Sequence, residues 1–100
     1  MVFLSKQNQM IKVGLLGAGH LGKIHLRLLN ASEHYQLVGF YDPDTENANA
    51  LVKEKGYKHF DSVDALIEAC DMIDIVTPTN QHHKLAIKAL DAGKHIFIEK

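Results

Sequence analysis

Ile11-Lys12-Val13-Gly14-Leu15-Leu16-Gly17-Ala18-Gly19-His20-Leu21-Gly22 is the stretch that decides the fold. Its first half, Ile11 to Gly17, is an apolar run ending in glycine, which reads as a strand buried on both faces. Its second half fits G-x-G-x-x-G and runs into Leu21, Ile24, His25 and Leu28, spaced i, i+3, i+4, i+7 on one helix face. A strand that turns into a helix over three glycines has a physical logic. Gly17 allows the sharp turn, Gly19 lets a phosphate group approach the backbone with no Cβ in the way, and Gly22 lets the helix pack closely on the strand. The helix N-terminus then offers unpaired N–H groups and a positive dipole end to an anion.

The same alternation continues outward. Gln36 to Asp42 reads as a second strand, closed by Asp42-Pro43. Ala48, Leu51, Val52 and Lys55 repeat the helix spacing, and Gly56 supplies a stop. Tyr57 to Phe60 reads as a short third strand. Ser62 is a plausible N-cap for a helix with Val63, Leu66, Ile67 and Cys70 on one face, and Asp64 in its first turn suits the dipole. Asp74 to Thr77 is a fourth strand stopped by Pro78, with Thr79 or Asn80 as the cap of the next helix. That helix carries Ala86, Ala89 and Leu90 inward and ends at Gly93, and His95 to Glu99 makes a fifth strand. Strands alternating with helices over short connections mean an α/β fold, a doubly wound parallel sheet. Right-handed crossovers give about five strands in the order 3-2-1-4-5, the Rossmann arrangement. Residues 1–10 read as an N-terminal extension and residues 11–100 as one dinucleotide-binding domain.

Composition excludes several classes. The chain has 100 residues, 46% hydrophobic and 23% charged, which suits a folded domain and not a disordered chain. A formal net charge of −1 argues against nucleic acid as a partner. No apolar run approaches the roughly 20 residues that span a bilayer, and Val2-Phe3-Leu4 is too short for a secretory signal. A single cysteine, Cys70, excludes an intramolecular disulfide and favours a reducing compartment, so a cytoplasmic location is expected. Cys70 reads as a small core residue. The seven histidines make no ligand pair on one helix face, so no metal site is expected. His25 reads as a partly buried, hydrogen-bonded side chain on the first helix.

Asp42 ends the second strand and lies 20 residues after Gly22, near the spacing expected for an acid that binds the adenosine ribose. A carboxylate there accepts hydrogen bonds from both ribose hydroxyls and repels an added 2′-phosphate, which favours NAD over NADP. Asp42 also suits the start of the Asp42-Pro43-Asp44 turn, with Asp44 as a turn residue or helix cap. Methyltransferases that use S-adenosylmethionine share a glycine-rich loop, but their loop follows an acid, and residues 13–16 here are Val-Gly-Leu-Leu.

The second half of the chain adds Thr77-Pro78-Thr79-Asn80-Gln81-His82, Ala92-Gly93-Lys94-His95 and Glu99-Lys100. Together with Gly17-Ala18-Gly19 and Asp42, these resemble the N-terminal domain of the Gfo/Idh/MocA oxidoreductases, whose pattern is T-P-x-x-x-H, A-G-K-H and E-K-P. The resemblance covers residues 11–100. It implies that Gly17, Gly19, His20, Leu21 and Gly22 cradle a pyrophosphate and that Asp42 holds the adenosine ribose. It further implies that Thr77, Pro78, Asn80, His82 and Glu99 contact the cofactor toward its nicotinamide half. Lys100 then sits between cofactor and substrate as the catalytic residue of this segment, its ammonium polarising a substrate hydroxyl.

The resemblance implies hydride transfer between a nicotinamide cofactor and a sugar, polyol or related small alcohol or carbonyl compound. A full-length protein of this kind is expected to be a homo-oligomer. The family's substrate domain, with its acid–base histidine, is expected to be absent from this chain, so these 100 residues should bind cofactor without catalysing. The alternative is a free-standing, non-catalytic module that binds or senses NAD(H), since a fold alone does not fix a function. An exposed apolar side is expected around Ile96, Phe97 and Ile98.

Overall fold

In a computed structural model, residues 10–98 are described. Four parallel strands, β1 (Ile11–Leu16), β2 (Tyr35–Tyr41), β3 (Met72–Ile75) and β4 (His95–Ile98), form one sheet in the order β2-β1-β3-β4. Four helices connect them: α1 (His20–Ala31), α2 (Thr45–Lys55), α3 (Val63–Ala69) and α4 (Thr79–Asp91). Among the described residues no helix is long and apolar enough to cross a membrane.

The core lies in two layers, one on each face of the sheet. Leu15 and Phe40 meet Leu26 of α1 and Ala48 and Leu51 of α2 on one face. Leu16, Ile73 and Ile75 meet Leu66 and Ile67 of α3 and Leu85, Ala86 and Ala89 of α4 on the other. Strand residues alternate between the faces, so Leu15 and Leu16 serve different layers. Residues 13–16 are buried, as a strand covered on both sides requires, while Ile11 and Lys12 at its entry are exposed.

Two strand expectations are corrected. The predicted third strand is a single bridge, Phe40 to His59, held by Phe40 N–H donating to Lys58 O at 2.9 Å and Phe60 N–H donating to Phe40 O at 2.8 Å. The bridge stands beside β2, where the order 3-2-1-4-5 places that strand. It stays short because the chain between two helix signals is short. Gly56 ends α2 at φ +76°, and Ser62 Oγ already caps α3 by accepting from Ala65 N–H at 3.1 Å. The fourth predicted strand lies two residues earlier than expected, at Met72–Ile75; Val76 N–H still donates to Leu16 O at 2.8 Å, and Pro78, the N-cap of α4, stops the ladder beyond it.

The inward faces of two helices also differ. In α1 the buried residues are Gly22 and Leu26, with Leu29 packed against them, whereas Leu21 is exposed and Leu28 is 61% exposed. The close approach at Gly22 turns the helix. A Cβ on Gly22 would lie 2.0 Å from Gly17 O, so the glycine side must face the strand. Residues 26 and 29 follow it inward, at i+4 and i+7. In α4 the N-cap is Pro78, with no side-chain cap, and Thr79 and Asn80 lie inside the helix. His82, Leu85, Ala86 and Ala89 face inward, and Leu90 is 51% exposed. The expectation for His25 is met: its Nδ1–H donates to Asp74 Oδ2 at 2.6 Å, tying α1 to β3.

Candidate functional site

All four strands run in one direction, so their C-terminal ends share one edge of the sheet. β1 continues through α1 to β2 on one side, and β3 continues through α4 to β4 on the other. The chain therefore diverges between β1 and β3, and in such sheets a crevice opens at that point. A cleft of about 510 Å³ lies there. Gly17, Gly19, His20, Leu21 and Gly22 line one wall, Asp42 and Pro43 close one end, and Val76, Thr77, Pro78, Thr79 and Gln81 line the other wall.

The glycine loop is built from backbone geometry. Gly17 has φ +97°, a conformation L side chains rarely adopt, and its N–H donates to Tyr41 O at 3.0 Å. Gly22 is required by the contact with Gly17 O already described. Gly19 is different. A Cβ there would meet nothing within 4 Å, so no packing inside the protein explains its lack of a side chain. Gly19 is also the N-cap of α1, with no side chain capping the first turn. The first-turn N–H groups are left for another acceptor.

Asp42 is held rather than free to swing. Its Oδ2 accepts from Ala18 N–H at 2.6 Å and its Oδ1 accepts from Asp44 N–H at 2.8 Å. Two backbone donors fix the carboxylate in place and leave further lone pairs for a ligand. Asp44 in turn caps α2, its Oδ1 accepting from Asn47 N–H at 3.1 Å. Behind Asp42, His59 stacks on Tyr41 with ring centroids 5.8 Å apart, and its Nε2–H donates to Asp42 O at 3.2 Å.

On the opposite wall, Thr77 Oγ1 is buried with no hydrogen-bond partner among the described residues. A hydroxyl in that state is costly unless a ligand completes it. His82 does not project into the cleft. Its ring is buried, and Nε2–H donates to Thr77 O at 2.5 Å, which pins the turn between β3 and α4. Asn80 is exposed and does not line the cleft either.

Of the residues the sequence singled out, Gly17, Gly19, His20, Leu21, Gly22, Asp42, Thr77 and Pro78 come together in one cleft. His82 supports it from behind, and Asn80 stands outside. Glu99 and Lys100 lie outside the described residues. Sequence reasoning missed Gln81, which lines the cleft, and Asn47, whose Nδ2–H donates to Ala18 O at 2.8 Å. Asn47 carries no motif signal; it is reached by pairing across 29 residues. Cys70 does not line the cleft: it is buried in the core, and burial pushes its thiol up to about 11.

The cleft suits a dinucleotide. An anion-ready helix start, an open glycine, a fixed carboxylate at one end and an unsatisfied hydroxyl on the opposite wall suit a pyrophosphate, a ribose and a further polar group.

Residues 11–100 match the family described as an oxidoreductase family with an NAD-binding Rossmann fold. The chain is 37% identical over 91 residues to glucose-6-phosphate 3-dehydrogenase of Bacillus subtilis, covering 91% of this chain and 26% of that protein. It is 40% identical over 90 residues to UDP-N-acetylglucosamine 3-dehydrogenase of Acidithiobacillus ferrooxidans, covering 90% of this chain and 28% of the other. A solved structure of that UDP-N-acetylglucosamine 3-dehydrogenase superposes with a TM-score of 0.84 over 92% of this chain and 30% of its own, at 39% identity. Apo scyllo-inositol dehydrogenase of Lactobacillus casei superposes with a TM-score of 0.83 at 32% identity, covering 93% of this chain and 29% of that one. The chain therefore spans 26% to 30% of the length of these relatives.

Proposed function

Because this chain belongs to the Gfo/Idh/MocA oxidoreductase family and forms its NAD-binding Rossmann domain, we propose that it holds NAD in preference to NADP, and that the intact enzyme oxidises a secondary alcohol of a sugar, polyol or related small molecule. The observation that carries this reading is the cleft itself. Gly19 is open to solvent beside an uncapped helix start, while Asp42 is fixed at the end of β2.

The residues divide the work. Backbone N–H groups of the loop and of the first turn of α1 receive the pyrophosphate, helped by the dipole of a 12-residue helix. The Asp42 carboxylate accepts the hydroxyls of the adenosine ribose. It disfavours a 2′-phosphate by charge repulsion. Thr77 Oγ1–H donates to the nicotinamide half, which relieves its unpaired burial. His82 keeps Thr77 in place through its carbonyl. NAD, when bound, supplies the group that accepts a hydride from the substrate carbon.

The substrate's hydroxyl proton must leave to an acid–base residue as its C–H hydride leaves to the cofactor. That residue and the walls of a substrate pocket are assigned to a further domain. To Lys100 we give the role the family pattern implies, an ammonium that polarises the substrate C–O bond. Residues 1–100 alone are expected to bind cofactor and leave alcohols unoxidised. The relatives named above are dehydrogenases of sugar phosphates, nucleotide sugars and inositols, which supports a small polyhydroxylated substrate. We place the protein in the cytoplasm, where its lone thiol stays reduced.

The test is a specificity swap. Asp42→Ser removes the charge that opposes a 2′-phosphate. The ratio of NAD to NADP affinity, measured by titration calorimetry, is expected to fall by roughly tenfold or more. An unchanged ratio would remove Asp42 from the role given to it.

A further inference from the structure

We infer that Asn47 is a positioning residue for the phosphate loop, acting through the carbonyl of Ala18; the inference rests on the cofactor reading above and extends it to a residue outside the motif. Four hydrogen bonds make a closed ring. Ala18 N–H donates to Asp42 Oδ2 at 2.6 Å, and Asp44 N–H donates to Asp42 Oδ1 at 2.8 Å. Asn47 N–H donates to Asp44 Oδ1 at 3.1 Å, and Asn47 Nδ2–H returns to Ala18 O at 2.8 Å. The ring joins the loop after β1 to the turn after β2.

Its last bond has a specific consequence. A trans peptide sets its C=O and the following N–H antiparallel. With Ala18 O drawn toward Asn47 on α2, the Gly19 N–H on the same peptide is turned away from α2. Gly19 carries no Cβ and nothing lies within 4 Å of where one would be, so sterics oppose a flip of this peptide little. The side chain of Asn47 supplies the restraint that sterics do not. It thereby presents an N–H donor in the orientation an incoming pyrophosphate needs, before the ligand arrives. A loop ordered in advance binds more tightly because less freedom is lost on binding. Asn47 itself touches no ligand in this scheme.

The ring makes a distinction that a purely structural role does not. The donor it orients serves the pyrophosphate, whereas adenosine alone needs Asp42 and the adenine surroundings. The experiment compares the wild-type chain with Asn47→Ala and with Asn47→Leu, which keeps the volume but removes the donor. NAD and ADP affinities are measured by calorimetry, and adenosine affinity by chemical-shift titration. Both variants are expected to bind NAD and ADP about fivefold more weakly, the size of one hydrogen bond, with adenosine changed less than about twofold. In ligand-free protein, the Gly19 amide resonance is expected to broaden by exchange in the variants and to stay sharp in the wild type.

Equal affinities for NAD in all three chains, or parallel losses for NAD and adenosine, would overturn the inference. Should one variant fail to fold, the other decides it. Should the wild type bind no NAD at all, the reading under Proposed function fails. The Gly19 amide then still reports separately on whether Asn47 holds the peptide.

Discussion

Gly19 and Gly22 stand three residues apart in the same motif and do different work. Gly22 is demanded by the fold, since a Cβ there falls 2.0 Å from a backbone oxygen. Gly22→Ala is expected to destabilise the chain by about 3 kcal/mol, measured by urea unfolding. Gly19 has φ −72°, which any residue adopts, and open space around it. Gly19→Ala is expected to leave stability within about 0.5 kcal/mol while weakening NAD binding by roughly tenfold. Equal stability losses in both variants would contradict this division. The motif was legible in the sequence because its glycines are local and their spacing is fixed by one turn. The separation of their roles was not, because it depends on what each absent side chain would strike. Asp42 was legible by the same local spacing, and Asn47 was not, because its partner is 29 residues away. Cys70 gives a pH signature. Its folded pKa, about 11, lies above the model-compound value of 9.0 because of burial. The thiol's contribution is therefore complete below pH 9 and lost as pH rises toward 11. Unfolding free energy is expected to fall over that window, and Cys70→Ala to flatten the fall. Iodoacetamide should label Cys70 at pH 8 in denaturant and not in the native chain.

At the scale of elements, boundaries set by caps and glycines were readable, and rotations were not. Ser62, Gly56 and Asp44 act as capping residues where the sequence puts them, since a cap is a local hydrogen bond. The inward face of α1 was misread because apolar spacing at Leu21, Ile24, His25 and Leu28 competes with a close contact at Gly22, and the contact wins. The third strand was overread because β propensity in Tyr57 to Phe60 cannot add ladder bonds once helix caps confine the segment. The turn from β3 to α4 depends on His82, a residue legible as a motif position but not as a buried donor. His82→Ala leaves Thr77 O without its donor and opens space beneath α4. A loss of about 1–3 kcal/mol in urea unfolding is expected, together with weaker NAD binding as Thr77 loses its placement. Full stability in that variant would show that the turn holds without the histidine.

The whole molecule is covered unevenly. α1 and α2 cover β1 and β2 on one face, while the same face of β3 and β4 carries Phe97 at 52% exposure beside the His25–Asp74 pair. Ile98 is 39% exposed and Ile96 half-buried, which agrees with the open apolar side expected from the sequence. A groove there is lined by Leu28, Leu29, Tyr35, Met72, Ile96 and Phe97. Apolar surface of this kind promotes association. Residues 1–100 are expected to show a sedimentation coefficient that rises with concentration, and Phe97→Ser to shift the chain toward monomer. Concentration-independent sedimentation of the wild type would contradict this.

These residues form an NAD-binding Rossmann domain whose cleft is prepared by its own sequence. The decisive measurement is titration of the wild-type chain with NAD and, in parallel, with NADP. One NAD per chain, bound more tightly than NADP, is the expected result. Binding of neither, or tighter binding of NADP, would contradict the account.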